Sequence, residues 1–210
     1  HSSGKANSLD GDGQLSFEPP VDETEDHFIF DPHNPVPTRG GNHILPMYYP
    51  RGPVDQTIVE QRSDVLVYSS AALEQDLEAT GPLFVKLFAA SSATDTDFTA
   101  KLVDVHTDGK AFNIADGIIR ARYRRGRDVE PSLITPDSVV EYDIDLLATS
   151  IVFKKGHRIR LEISSSNFPR WDRNPNTGEL PHKAKKLITA TQAVYHNPRY
   201  QSHILLPLIR

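Results

Sequence analysis

The feature that most constrains the fold is a period-two alternation of apolar and polar residues through most of the chain after residue 64. It is clearest at 83–89, 98–105 and 140–146, and it returns at 158–163 and near the C-terminus. Successive side chains of a β-strand point to opposite faces, so this alternation predicts strands with one buried face. A Lys- and Ala-rich stretch at 181–189 is the one helix that we predict after residue 64. We therefore expect an all-β fold, an antiparallel β-sandwich or jelly roll.

The first 60 residues differ from the rest in composition and in their weak periodicity. Half of the 16 prolines and half of the 12 glycines lie in the first 53 residues, where periodicity is weak. Phe28-Ile29-Phe30 is the one short apolar run there, and we interpret it as a single strand. We expect residues 1–60 to form an extended segment and residues 61–210 to form the β-domain. The chain starts at His1 and its only Met is Met47, which leads us to expect an expressed fragment or a processed product.

The composition narrows the classes of partner and compartment. The formal net charge of -5 argues against nucleic-acid and anionic-membrane partners, since both favour a basic surface. We accordingly interpret the five arginines at 120–127 as a solvated strand face with acidic partners on neighbouring strands. No apolar run approaches the ~20 residues of a membrane span, and no signal peptide is visible. A cytoplasmic location is the expectation, and the oligomeric state, including a homo-oligomer, is left open.

Motifs for catalysis or cofactor binding are absent from the sequence. It has no Gly-x-Ser-x-Gly elbow, no Gly-rich phosphate loop and no His-Glu-x-x-His. The absence of Cys excludes a thiolate site, and the nine His are scattered, so we expect no metal, no cofactor and no catalytic residue. The serines at 164–166 are interpreted as a polar strand end. Asp10-Gly11-Asp12-Gly13 lacks the later ligands of a helical calcium loop and predicts a turn, with calcium left open.

A long loop after residue 165 stands apart because it is dense in Asn, Pro and aromatic residues and carries the only Trp. Loops of this length in compact domains are usually functional or strongly packed. One interpretation is a contact surface for another domain or a carbohydrate. The other is a structural loop whose Asn and Asp side chains bond their own backbone. The residues in question are Asn167, Phe168, Trp171, Asp172, Arg173 and Asn174.

Three long motifs, in order along the chain, give a specific resemblance. They are the stretches 93–105 with 116–123, 156–160 with 164–169, and 172–178. Together they resemble the C-terminal domain of the X-Pro dipeptidyl-peptidase family, which includes the cocaine esterase-like (CocE/NonD) serine hydrolases, glutaryl acylases and α-amino-acid ester hydrolases. The resemblance covers roughly residues 64–210.

The resemblance implies a jelly-roll sandwich similar to galactose-binding domains, packed against an α/β-hydrolase domain of the same protein. In such proteins the catalytic Ser, Asp and His all lie in the α/β domain, upstream of this stretch. The family implies cleavage of peptides, amides or esters through an acyl-serine. We therefore expect this chain alone to be inactive and its parent to be a serine hydrolase of the dipeptidyl-peptidase or acyl-esterase type.

The resemblance also gives an expectation for individual residues of one loop. In cocaine esterase-like relatives the loop after Pro-Thr-x-Gly-Gly reaches the active-site mouth and lines the acyl pocket. That motif stands here at 37–41 and is followed by the loop 42–47. The resemblance implies that Ile44 and Leu45 contribute to the substrate mouth. The residues that depart from the family pattern are His43, Pro46 and Met47.

The alternative to an accessory domain is a free-standing carbohydrate-binding module. Sugar-binding sandwiches present exposed aromatic rings for stacking, and Trp171 with Phe168 are the rings that would serve here. Self-association separates the two interpretations, because a severed domain interface leaves an exposed apolar patch.

Overall fold

The computed structural model describes residues 1–209, and its regular secondary structure consists almost entirely of strands. One short α-helix and one 3-10 turn interrupt them. In chain order the elements are β1 Asp26–Phe30, α1 Thr57–Glu60, β2 Leu66–Ser69, β3 Leu77–Ser91, β4 Asp97–Val105, β5 Ala111–Arg120, the 3-10 turn Ala121–Tyr123, β6 Val140–Phe153, β7 Arg158–Ser164, β8 Ala190–Asn197, β9 Tyr200–Gln201, β10 His203–Leu205 and β11 Leu208–Ile209.

The strands form two antiparallel sheets. The larger sheet is centred on β3, which pairs with β6 along one edge and with β8, β10 and β11 along the other, while β1 extends it beyond β8. The smaller sheet has the order β2-β7-β4-β5. This arrangement confirms the all-β sandwich that the alternation predicts. None of the helices in residues 1–209 has the length and hydropathy of a membrane-spanning segment.

The core lies between the two sheets and consists of the inward-facing residues of each strand. Phe98 of β4 and Tyr142 of β6 are fully buried, with ring centroids 5.0 Å apart. Phe30 of β1 also enters this core, so the short apolar run near the N-terminus forms the predicted strand and contributes to the sandwich. The period-two pattern therefore reports which face of each strand is inside.

The outer face of the smaller sheet is also covered, which the alternation does not indicate. Every residue of β4 is buried, including Lys101 on the outward face. The cover is the segment around α1, in which Gln56 accepts a hydrogen bond from Lys101 Nζ at 2.8 Å. Val36, Val59, Val65 and Val67 form a second apolar cluster there. The last part of the extended segment is thus a third layer over the sheet.

The start of the chain is fixed by a buried carboxylate, Asp26 in β1. It accepts hydrogen bonds from Ser2 Oγ at 2.8 Å, the Ala6 amide at 2.8 Å and Tyr68 Oη at 2.8 Å. The His196 ring of β8 lies 2.9 Å from the same carboxylate. Burial alone would raise the pKa of Asp26, but the hydrogen bonds from His196 and the other donors lower it. The division of the chain at residue 60 stays a prediction.

The predicted helix at 181–189 is wrong. The chain makes only an isolated turn there, in which the amides of Lys183 and Ala184 donate to the Leu180 carbonyl at 2.8 and 3.0 Å. Further along, Ile188 donates its amide to the Pro175 carbonyl. Composition favours a helix in this stretch, but its residues 182, 183, 185, 186 and 188 are exposed or half-buried and offer no apolar stripe to pack.

Candidate functional site

The loop at residues 41–52, called the mouth loop below, is closed at its base by paired backbone bonds. The Gly41 amide donates to the Gly52 carbonyl at 2.8 Å, and the Gly52 amide donates back at 3.1 Å. Gly40 has a φ of 67°, and a Cβ there would lie 2.4 Å from the Gly52 carbonyl oxygen. A Cβ on Gly41, with φ of 98°, would lie 2.7 Å from Arg170 Nη1. The two glycines of the Pro-Thr-x-Gly-Gly motif are therefore required by the closed base.

The tip of the mouth loop presents apolar side chains to solvent. Ile44 is 96% exposed and Met47 is 93% exposed, whereas Leu45 is half-buried. The backbone beneath them is held by His43, whose Nε2 lies 3.1 Å from the Pro50 carbonyl oxygen and whose Nδ1 accepts the Leu45 amide at 3.3 Å. The tip therefore exposes two apolar side chains on a backbone that hydrogen bonds hold in place.

A cavity of about 330 Å³ opens beside the base of the mouth loop. Its walls come from the two sides of the loop and from β5. The lining residues are Gly41, Asn42, His43, Arg51, Gly52, Pro53, Asn113 and Ile114. Asn113 is buried and accepts the Val54 amide through Oδ1 at 2.7 Å, which fixes the exit of the mouth loop to the sheet.

Arg170 joins the mouth loop to the long loop after β7. Its Nη1 donates to both carboxylate oxygens of Asp116 in β5, at 2.5 and 2.7 Å, and it lies against Gly41. Asn167 donates to the same carboxylate at 3.1 Å. Burial raises the pKa of Asp116, an effect that the charges of Arg170 and Lys101 oppose. The two loops thus form one surface around a buried carboxylate.

The six residues selected from the long loop divide between the interior and the surface. Asn167 and Asn174 are buried, Arg173 donates to the Pro32 carbonyl at 2.8 Å, and Phe168 and Asp172 are exposed. Trp171 is half-buried, and the guanidinium carbon of Arg170 lies 4.5 Å from its ring centroid. Structural and surface positions therefore coexist in the loop, and the role of these residues in an interface stays a prediction.

The arginines at 120–127 do not form the expected solvated strand face, because β5 ends at Arg120 and the backbone turns into the 3-10 element. Arg122 is buried and donates to Asp95 Oδ2 at 2.8 Å. Arg120 donates twice to buried Asp97 at 2.8 Å. Burial alone would lower the pKa of Arg120, but the hydrogen bonds and charge of Asp97 raise it. The expected acidic partners exist, but Asp95 lies just before β4, Asp97 is the first residue of β4, and both are buried.

The structure also brings together three residues that the sequence interpretation missed: Asp104, His106 and His157. One potential ligand atom from each residue lies within 4.8 Å of those of the other two. Asp104-x-His106 is a visible short pattern, but His157 lies 53 positions from Asp104. Only the pairing of β4 with β7, which sets Asp104 opposite Ile159, makes them neighbours.

The motifs that carry the resemblance contribute β4, the end of β5 with the 3-10 turn, the start of β7 and the long loop. Residues 2–205 match the family model of the X-Pro dipeptidyl-peptidase C-terminal non-catalytic domain. The chain belongs to this family.

Relatives of this non-catalytic domain include complete hydrolases. The chain is 46% identical over 210 residues to the cocaine esterase of Rhodococcus sp. (strain MB1 Bresler), covering 99% of the chain and 36% of that protein. Among solved structures, an α-amino acid ester hydrolase superposes with a TM-score of 0.86 at 30% identity, over 99% of this chain and 36% of that one. An aminopeptidase from the marine sediment archaeon Thaumarchaeota archaeon gives a TM-score of 0.84 at 30% identity, over 100% and 37%. The chain therefore spans about a third of the length of these relatives.

Proposed function

We propose that this non-catalytic domain packs on an α/β-hydrolase domain of the same protein, with the mouth loop at the entrance to its active site. The observation that carries the proposal is the pairing of an almost fully exposed apolar tip, Ile44 and Met47, with a rigidly closed base. The hydrolase chemistry of the relatives comes to this chain only through that larger protein.

The exposed tip supports a docking role because apolar side chains on a firmly held loop gain free energy only when another surface covers them. Burying one such side chain stabilises by roughly 1.5–3 kcal/mol. Phe17 and Val21 of the N-terminal segment are exposed in the same way, at 85% and 64%. A protein that contained the catalytic domain would have surface to cover these positions.

The first prediction concerns the isolated chain. We expect no labelling by a serine-reactive fluorophosphonate probe and no turnover of acyl esters, since the chain has no Gly-x-Ser-x-Gly elbow. Gel-based detection of the probe beside a commercial serine esterase as positive control makes the measurement. Stoichiometric labelling of the chain would place a nucleophile within residues 1–210 and overturn the proposal.

The second prediction concerns acyl selectivity in the complete hydrolase that carries this domain. Truncating Ile44 and Leu45 to Ala should lower kcat/KM several-fold more for long acyl esters than for acetyl esters, because fewer apolar contacts remain for the longer chain. Ile188→Ala is the matched control, since Ile188 is an exposed isoleucine outside the mouth loop. Equal losses for short and long acyl groups would count against a position at the substrate mouth.

The carbohydrate-module alternative gains no support from the long loop. A stacking platform needs an open ring face, and the Arg170 guanidinium lies over Trp171. Sedimentation velocity on the isolated chain discriminates the two functions further. An accessory domain that has lost its partner should self-associate with rising concentration, whereas a binding module should remain monomeric.

A further inference from the structure

The turn after β4 and the turn before β7 meet at one end of the smaller sheet, and they carry a cluster that the hydrolase role does not use. Asp104 is the penultimate residue of β4, His106 begins the β4–β5 turn, and His157 immediately precedes β7. We propose that Asp104, His106 and His157 form a binding site for a zinc ion. The inference is independent of the proposed docking function.

The three side chains lie within reach of one another. His157 Nδ1 lies 2.9 and 3.1 Å from the two carboxylate oxygens of Asp104, and His106 Nε2 lies 3.4 Å from Oδ2. Two ligands at the usual zinc bond lengths and a tetrahedral angle are about 3.4 Å apart. The nitrogen–oxygen separations are therefore close to those that a tetrahedral ion requires, and the ring nitrogens of the two histidines lie within 4.8 Å of each other, so side-chain rotations would complete the approach.

Backbone hydrogen bonds hold both histidines. The His106 amide donates to the Lys110 carbonyl at 2.8 Å, and the Gly109 amide donates to the His106 carbonyl at 3.0 Å. The His157 amide donates to the Lys154 carbonyl at 2.9 Å, and its carbonyl accepts the Leu73 amide at 2.8 Å. Ligands supplied from fixed positions lose little conformational freedom when an ion binds, which favours affinity.

The three side chains differ in solvent exposure, so that one side of the cluster is buried and the other is open to an ion from solvent. The Asp104 side chain is 8% exposed, that of His157 is 15% exposed, and that of His106 is 40% exposed. The buried carboxylate supplies negative charge in a region of reduced dielectric, and the exposed side of His106 leaves a path from solvent. A water molecule would complete four-coordination at that side.

Ligand chemistry selects the class of ion. Two imidazoles and one carboxylate suit zinc and neighbouring divalent transition ions, whereas calcium and magnesium prefer sites made of oxygen ligands. A hydrogen bond between His157 and Asp104 explains one of the two contacts with the carboxylate. The second imidazole is stacked on the first with centroids 4.3 Å apart and a 29° interplanar angle, so the ring of His106 must rotate for both imidazoles to reach one ion.

The test is zinc binding by the 210-residue chain, produced without a polyhistidine tag and stripped with a chelator. Calorimetric titration with zinc chloride should give one ion per chain, and a hundredfold excess over Kd should raise Tm by several degrees. His106→Asn should weaken zinc binding at least tenfold while leaving the metal-free Tm unchanged, because the ring of His106 is the most exposed of the three. Asp104→Asn and His157→Asn should weaken binding as well.

The matched control is His33→Asn. His33 forms a comparable exposed pair with Asp31, Nδ1 to Oδ1 at 3.1 Å, but stands outside the proposed site. Its replacement should leave zinc affinity unchanged. A chain that binds no zinc, or one in which His33→Asn and His106→Asn lower the affinity equally, would overturn the proposal and leave only adventitious surface binding.

Discussion

Replacing Asp95 with Ala is expected to reduce the free energy of unfolding by about 3–5 kcal/mol, the usual cost of removing one partner from a buried ion pair. Asp95 is 1% exposed and accepts the Arg122 backbone amide at 3.0 Å and Nε at 2.8 Å. Asn174 also donates to this carboxylate, at 3.0 Å. The truncation leaves Nε and the backbone N–H of Arg122 enclosed without an acceptor.

The position of Asp95 explains why the effect should spread beyond one contact. Arg122 also donates to the Gly178 carbonyl at 2.8 Å, and Asn174 also donates to Asp97 at 2.8 Å. The carboxylate therefore connects the start of β4, the 3-10 turn and the far end of the long loop. We expect the loop to lose its fixed conformation in any Asp95→Ala molecules that remain folded.

Urea-induced unfolding followed by far-UV circular dichroism measures the free-energy change. The control is Asp143→Ala, because Asp143 pairs with Lys86 at 3.0 Å with 68% of its side chain exposed. Exposed pairs contribute about 0–1 kcal/mol, so the control should unfold close to the wild type. A loss below about 1 kcal/mol for Asp95→Ala would show that the enclosed network adds little stability.

The sequence predicted the sandwich well because strand alternation is a local signal. Leu83, Val85 and Leu87 occupy the inner face of β3 as their spacing predicts. Local pattern could not show that residues 54–60 cover the outer face of β4, since that depends on where a non-periodic segment lies. The sequence pattern therefore predicts that Lys101 is a solvated strand residue, although the structure shows that it is buried.

For the candidate site too, features that lie in one short stretch could be predicted and features that depend on tertiary structure could not. Ile44 and Leu45 were expected only from the family resemblance, whereas the Gly-Gly turn was visible because it lies within one short stretch. The Asp95–Arg122 pair and the Asp104, His106 and His157 cluster were not, since they depend on strand register and on the turn that ends β5 at Arg120. Alternation continues through Arg122 in the sequence, and only the 3-10 backbone directs that side chain inward.

The covered face of β4 also encloses two carboxylates, Glu60 and Glu162, and Glu60 makes stability depend on pH. Glu60 Oε2 accepts Arg160 Nη1 at 2.7 Å, and Glu162 Oε2 accepts Lys101 Nζ at 2.9 Å. Within residues 1–209, the remaining oxygen of each carboxylate is buried without a hydrogen-bond donor. Burial, followed by the charge of Glu162, raises the pKa of Glu60 to about 7, although Arg160 acts to lower it.

The sign of the pH effect follows from the raised pKa. In the unfolded chain Glu60 releases its proton near its ordinary pKa of 4.5, whereas in the folded chain it holds the proton until about pH 7. Between these values the folded state binds more protons, so the free energy of unfolding falls as the pH rises. A difference of this size corresponds to about 3 kcal/mol, which is present below pH 4.5 and lost above pH 7.

Glu60→Gln is therefore expected to stabilise the chain at pH 8, by up to about 3 kcal/mol, and to change it little at pH 5. The Gln side chain imitates the protonated acid, since its amide nitrogen can donate towards Glu162 and its oxygen can accept Arg160. Urea unfolding of both chains across pH 5–8 measures the slope, with Glu130→Gln as control because Glu130 is fully outside the enclosed layer and exposed. A Glu60→Gln chain that is less stable than the wild type at pH 8, or that keeps the wild-type slope, would show that Glu60 is ionised and well compensated by Arg160.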